Sequence, residues 1–111
     1  MATKWSKRQI SDLITKIARE EGLDLKYVPY LIETVMGESG GNPAAVGDNN
    51  SSFGLWQMYF KGGLGDLLGM TPEQAKDPEV STRTAINFIQ DSIDKGSSFD
   101  SIMRQNWSAY R

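Results

Sequence analysis

The sequence predicts a mostly α-helical protein, interrupted in the middle by a glycine-rich loop or a small β region. Three features support this. Apolar residues recur at helical spacing on both sides of the interruption. Capping residues precede those segments and glycines follow them. Between residues 37 and 69 the periodicity lapses and nine glycines gather, which is the chemistry of turns.

The first helix opens on a capping box, Ser6-Lys7-Arg8-Gln9. Ile10, Leu13, Ile14, Ile17 and Ala18 then share one face, and Gly22 is a natural stop. A second helix is predicted from near Asp24, with Pro29 tolerated in its first turns. Val28, Leu31, Ile32, Val35 and Met36 make the cleanest stripe in the chain, so this helix is expected to be buried along that face. Residues 37–43 end it, which leaves Glu38 at its C-terminal end. Short strands or one helical turn are expected around residues 53–59. Thr71 with Pro72 then opens a short helix. Asp77-Pro78-Glu79 repeats that grammar before a longer helix with Val80, Ala85, Ile86, Ile89 and Ile93 inward, stopped by Gly96. Ser98 caps a last helix with Phe99, Ile102, Met103 and Trp107 inward.

The 111 residues suit one domain, residues 1–111, able to bury a core with little to spare. The absence of cysteine and histidine excludes disulfide frameworks, thiolate and imidazole metal sites, cysteine nucleophiles and the Ser-His-Asp arrangement. Catalysis in such a chain runs on carboxylates, hydroxyls, amines or backbone dipoles. The net charge of −2 and a pI near 5.0 argue against a nucleic-acid partner, because Lys4, Lys7 and Arg8 are the densest basic run. No apolar run approaches a membrane span. Residues 1–10 lack the apolar core of a signal peptide. The chain stops abruptly at Tyr110-Arg111, so a piece cut from a larger polypeptide is one expectation.

Two stretches carry candidate chemistry. In Glu38-Ser39-Gly40-Gly41-Asn42-Pro43, glycines let the backbone turn sharply beside an acid. A carboxylate at a helix C-terminus is disfavoured by the helix dipole, and that field raises its pKa, as a general acid requires. The plainer reading is an ordinary helix end. The second stretch, Ser51-Ser52-Phe53-Gly54-Leu55-Trp56-Gln57-Met58-Tyr59-Phe60, sets aromatics beside amides and hydroxyls, a combination that suits sugars. The plainer reading there is a segment that closes the core.

Together, Glu38-Ser39-Gly40-Gly41-Asn42-Pro43 and Gly54-Leu55-Trp56-Gln57-Met58 resemble the soluble lytic transglycosylase and goose-type lysozyme group. There a Glu-Ser-x-x-Asn-Pro segment precedes Gly-Leu-Met-Gln-(Ile/Leu). The resemblance covers roughly residues 24–110 and implies a lysozyme-like fold, with the loop or small β region beside an active-site cleft. Glu38 matches the catalytic glutamate. Ser39, Asn42 and Pro43 match turn-shaping positions. Ser51 or Ser52 matches a serine that contacts the reacting sugar, in a loop that is one residue longer here. Gln57 matches a cleft-lining glutamine. Trp56 stands where methionine is commoner, and Phe53 replaces a small aliphatic residue. Tyr110 resembles the start of an Ala-Tyr-Asn segment whose tyrosine hydroxyl reaches the catalytic carboxyl; the family's asparagine has no counterpart here, and a terminal packing aromatic is the plainer reading. The expected substrate contacts are therefore Ser39, Ser51, Ser52, Phe53, Trp56, Gln57, Tyr59 and Tyr110.

The resemblance implies cleavage between N-acetylmuramic acid and N-acetylglucosamine in peptidoglycan glycan strands, with no cofactor and no metal. In a lytic transglycosylase the muramic 6-hydroxyl closes an anhydro ring; in a goose-type lysozyme water attacks and a second acid holds it. Asp48 is the candidate second carboxylate, with a turn residue as its plainer reading. Asp66 is a weaker candidate, and Glu33 is expected to point elsewhere. A non-catalytic wall-docking module and a helical adaptor are the rival classes. The phage-like form of the motif implies an enzyme of a phage particle or of phage-driven lysis, acting at the bacterial cell wall, with a bacterial secretion-system or wall-remodelling enzyme as the alternative.

Overall fold

The computed structural model describes residues 4–110. Helix α1 spans Lys7–Glu21. The Ser6 hydroxyl accepts the Gln9 N–H while the Gln9 side chain accepts the Ser6 N–H, so the capping box forms as the sequence predicts. Gly22 ends the helix at φ 78°, a conformation available to glycine without strain. The Asp24 carboxylate then caps a 3-10 turn, Leu25–Tyr27, before helix α2, Val28–Ser39. The α-helix thus begins later than Asp24. Pro29 has no N–H to bond four residues back, so the α-helical ladder cannot extend through the preceding turn.

The glycine-rich region contains three two-residue strands, β1 (Val46–Gly47), β2 (Ser52–Phe53) and β3 (Met58–Tyr59). They form an antiparallel meander in chain order. Val46 pairs with Phe53, Gly47 with Ser52, Ser52 with Tyr59 and Phe53 with Met58. Helix α3, Leu64–Leu67, comes next; four residues are too few to leave a periodic signal. Helix α4, Pro72–Lys76, has a second capping box between Thr71 and Gln74. Helix α5, Pro78–Asp94, starts with the Asp77 carboxylate accepting the Glu79 and Val80 N–H groups. Helix α6, Phe99–Asn106, is capped by Ser98. Val80, expected inward, is 40% exposed; it sits in the first turn of α5, and Ser81 and Thr82 take the buried positions.

Helix α1 packs on α2 and α5, and α5 in turn contacts α4 and α6. Ile10, Ile14, Ile17, Leu31, Val35, Ile86, Ile89 and Met103 fill the interior. Leu55, Trp56 and Met58 join them from the glycine-rich region, so that region is anchored rather than loose. The Trp56 and Trp107 rings meet edge to face at 5.4 Å. Trp56 Nε1–H donates to Thr82 Oγ1 at 3.0 Å, and Trp107 Nε1–H donates to the Trp56 carbonyl at 2.9 Å. Two buried indoles thereby have satisfied polar ends, and they tie the meander both to α5 and to the segment after α6. Among the described residues no helix is long and apolar enough to cross a membrane.

Candidate active site

Glu38 is the penultimate residue of α2. The chain leaves the helix through Gly40 and Gly41, at φ 63° and 83°. A Cβ at Gly41 would stand 2.4 Å from the Trp5 carbonyl oxygen, and the Trp5 N–H donates to the Gly41 carbonyl at 2.7 Å. The turn beside Glu38 is therefore clamped by the strand of chain that precedes α1.

On its other side Glu38 meets the segment after α6. The Ala109 N–H donates to Glu38 Oε2 at 2.9 Å, and the Ser108 hydroxyl lies 3.5 Å from the same oxygen. Partial burial pushes the Glu38 carboxyl above the ordinary glutamate range. The Ala109 and Ser108 donors pull the other way, and the nearby charge of Asp48 pushes it further up.

Asp48, Asn49 and Asn50 are three successive non-glycine residues in the left-handed region, at φ 51°, 54° and 66°. They form the turn between β1 and β2. Asp48 accepts the Ser52 hydroxyl at 2.5 Å, so it shapes this turn while its charge acts on Glu38. Asp66 accepts the Gly62 N–H at 2.8 Å, a local turn contact. Glu33 pairs with Lys7 at 2.6 Å in an exposed position, pointing elsewhere as expected.

Several expected substrate contacts have other partners. Trp56 is fully buried, which corrects the expectation of a sugar-facing ring: its indole closes the core. Ser39 is a turn residue, its hydroxyl donating to the Val35 carbonyl at 3.0 Å and accepting the Gly41 N–H at 3.3 Å. Ser51 and Ser52 are both buried, and the Ser52 hydroxyl is taken by Asp48. Phe53 packs edge-on to Phe60 at 5.6 Å, beneath the Lys76 ammonium. Gln57, at φ 45°, donates through Nε2 to the Ala45 and Gly54 carbonyls at 3.1 and 3.0 Å, lacing the meander together. The Tyr110 hydroxyl does not reach Glu38; it donates to Asp100 at 2.9 Å, because the ring is held against Tyr30 and Phe99.

Tyr59 remains open, at 38% exposure. It lines a depression of about 330 Å³ with Asp48 and Asn49, and a smaller one of about 170 Å³ that includes Gln57, Gln105 and Asn106. A further depression of about 380 Å³ lies between Tyr30, Glu33, Thr34, Ala109 and Tyr110. The first of these hollows includes Asp48 and the last includes Ala109, the residues that face and touch Glu38, whereas two others, along α5, involve neither. The sequence reading missed Tyr30, Ser108 and Ala109. Tyr30 had a signal: Tyr30, Thr34 and Glu38 recur every four residues and so share one face of α2. Ser108 and Ala109 had none, since a backbone N–H contact is independent of side-chain identity.

The family model described as Transglycosylase SLT domain matches residues 12–110 of the chain. No curated protein and no solved structure matches it.

Proposed function

The chain belongs to the transglycosylase SLT domain family, and on that premise we propose that it cuts the β-1,4 bond between N-acetylmuramic acid and N-acetylglucosamine as a lytic transglycosylase, with Glu38 as acid and then base. The family acts on bacterial cell-wall peptidoglycan. The observation that carries the residue assignment is a carboxyl at a helix C-terminus, pushed upward by partial burial and held through one oxygen.

Both donors converge on Glu38 Oε2, so in the protonated acid the proton sits on Oε1. Oε1–H protonates the glycosidic oxygen as the muramic C1–O bond breaks, and N-acetylglucosamine leaves with a free 4-hydroxyl. Positive charge develops at C1, where the substrate's N-acetyl group supports it. The Glu38 carboxylate then takes the proton of the muramic 6-hydroxyl while O6 bonds to C1. The product is a 1,6-anhydro end, Glu38 is protonated again, and no water is consumed. Hydrolysis is the second reading: Asp48 lines the open hollow beside Tyr59 and would be the carboxylate that holds the attacking water.

The test is mass spectrometry of soluble products from purified peptidoglycan. Anhydro-muramic ends are expected; reducing muramic ends mean hydrolysis, and the absence of any product means a wall-docking module. We propose a phage setting from the form of the motif. A gene lying among tail or lysis genes is the expected finding, and a neighbourhood of bacterial wall-remodelling genes would remove that part.

Activity in this scheme needs Glu38 protonated at rest, so its alkaline limb tracks the Glu38 carboxyl. The Asp48 charge disfavours ionised Glu38. Asp48→Asn is therefore expected to move the alkaline limb of kcat/KM to lower pH while maximal turnover stays within about threefold, as for a non-reacting neighbour. A collapse of about 10²-fold or more at every pH would instead make Asp48 a reacting carboxylate.

A further inference from the structure

Tyr110 lies four residues beyond the end of α6, yet its hydroxyl returns to the first turn of that helix. It donates to Asp100 Oδ1 at 2.9 Å, while Arg104 Nε–H donates to Asp100 Oδ2 at 2.8 Å. The Arg104 guanidinium stands 5.8 Å from the Tyr110 ring centroid. The ring is also flanked by Phe99 at 6.0 Å and Tyr30 at 6.5 Å. The Tyr110 N–H donates to the Trp107 carbonyl at 3.1 Å, and Trp107 is buried in the core. Residues 107–110 are thus fixed at both ends, by an indole inside and by a tyrosine hydroxyl outside.

Between those anchors lies Ala109, whose N–H holds Glu38 Oε2. Its approach to α2 depends on Gly37: a Cβ there would stand 2.8 Å from the Ala109 Cβ, closer than side-chain carbons pack. A bare position on α2 and a tethered turn together bring one backbone donor onto the carboxylate.

We infer that Asp100 and Tyr110 are positioning residues that act on Glu38 through the Ala109 N–H, with Gly37 as the seat that admits Ala109. The Asp100–Arg104 pair is exposed and contributes little to stability. Its effect is geometric, since small displacements around a reacting group change rates strongly. The consequence for turnover rests on the reading of Glu38 as acid and base; the geometric inference does not.

The charged and titratable groups around Glu38 come from three places. Asp48 faces it from the turn between β1 and β2. Lys4 lies beside Gly40, its Nζ 3.8 Å from where a Cβ would stand. Glu33, on α2 itself, is engaged by Lys7. The Tyr110 hydroxyl and the Asp100 carboxylate bond to each other instead, and Asp100 also accepts from Arg104. When the 108–110 turn loosens, the lost Ala109 donor no longer stabilises ionised Glu38, so its titration moves to higher pH.

The experiment is a double-mutant cycle of Tyr110→Phe and Asp100→Ala in the full chain. It is read by carbon NMR titration of the Glu38 carboxyl and by kcat on purified glycan strands, with melting curves alongside. Both single variants are expected to raise the Glu38 titration midpoint and to lower kcat about tenfold. The double variant is expected to be no worse than either. Asp100→Asn, which keeps an acceptor for the Tyr110 hydroxyl, is expected to recover most of the loss. An unmoved Glu38 titration overturns the inference, and so do additive losses. A loss in Tyr110→Phe with none in Asp100→Ala also overturns it, by showing that Tyr110 acts without Asp100. The titration needs no turnover, so a moved midpoint in an inactive protein would count against the proposed activity and leave the positioning role standing.

Discussion

Glu38→Gln is expected to lower glycan-strand cleavage by about 10²- to 10⁴-fold, the scale of a lost general acid and base, while the protein stays folded. An amide has the shape of the carboxyl, and its oxygen can still accept the Ala109 N–H that now reaches Glu38 Oε2 at 2.9 Å. It cannot deliver a proton to the glycosidic oxygen or take one from the 6-hydroxyl. The direction of the Glu38 shift also sets the effect on stability. The folded carboxyl titrates above its unfolded value, chiefly because burial disfavours its charge. Its contribution to stability is therefore complete below the unfolded pKa and is lost as pH rises through the folded one. Above the folded pKa the ionised side chain burdens the fold, and glutamine removes that burden. The melting temperature of Glu38→Gln at neutral pH should equal or exceed the wild type's, with the gap closing in acid. Product release above about a tenth of the wild-type rate would sink the assignment. A variant that fails to fold would instead mean that the carboxylate is structural.

The helices were legible because each carries a signal written in side chains. Ser6 with Gln9 announced a capping box and Thr71 with Pro72 a capped helix start, and both form. The stripe of Val28, Leu31, Ile32, Val35 and Met36 announced the buried face of α2; Val28, Leu31 and Val35 are buried, and Ile32 and Met36 pack against the core partly buried. What eluded the sequence was short or was made by backbone. β1, outside the 53–59 stretch where short strands are expected, and the four-residue α3 offer no period to read. The late start of α2 comes from the one N–H that Pro29 lacks.

The candidate site divides in the same way. Glu38 was legible because a helix end and two glycines surround it, and its neighbour Ser39 does shape the turn. The aromatic run after Ser52 was misread in part, since composition does not say which ring turns inward. Trp56 and Tyr59 lie three residues apart; one is fully buried and the other open to solvent. Trp56 is inward because its indole N–H has the Thr82 hydroxyl to meet across the core. The contact on the Glu38 carboxyl comes from Ala109 rather than from the hydroxyl of Tyr110. The tyrosine has a nearer carboxylate at Asp100, and nothing in its local sequence distinguishes the two acceptors.

Much of the Gly54-Leu55-Trp56-Gln57-Met58 stretch serves architecture, and Gly54→Ala tests how much. Gly54 sits after β2 at φ 83°. A Cβ there would lie 1.8 Å from the Ala75 carbonyl oxygen and 2.7 Å from its carbon. The obstacle is the backbone of α4, which cannot rotate away as a side chain can. Gly54 also donates to the Ala45 carbonyl at 2.9 Å, and its own carbonyl accepts from Gln57 Nε2. Displacing it disturbs both strands that flank it. Left-handed backbone costs an L-residue about 1–2 kcal/mol, and overpacking costs about 1–3 kcal/mol more. The sum of roughly 2–5 kcal/mol is a large share of the ~5–15 kcal/mol that holds a typical native protein together. It should lower the melting temperature by on the order of 10–20 °C. Gly69→Ala is the control: its φ is 66°, yet nothing lies within 4 Å of the added carbon, so only the backbone cost applies. If the two variants melt within a few degrees of each other, the meander is not seated against α4. If Gly54→Ala melts far lower, the glycine that opens this stretch is held there by the backbone of α4, and the role of the stretch near Glu38 is first to bring the turn bearing Asp48 to the carboxylate.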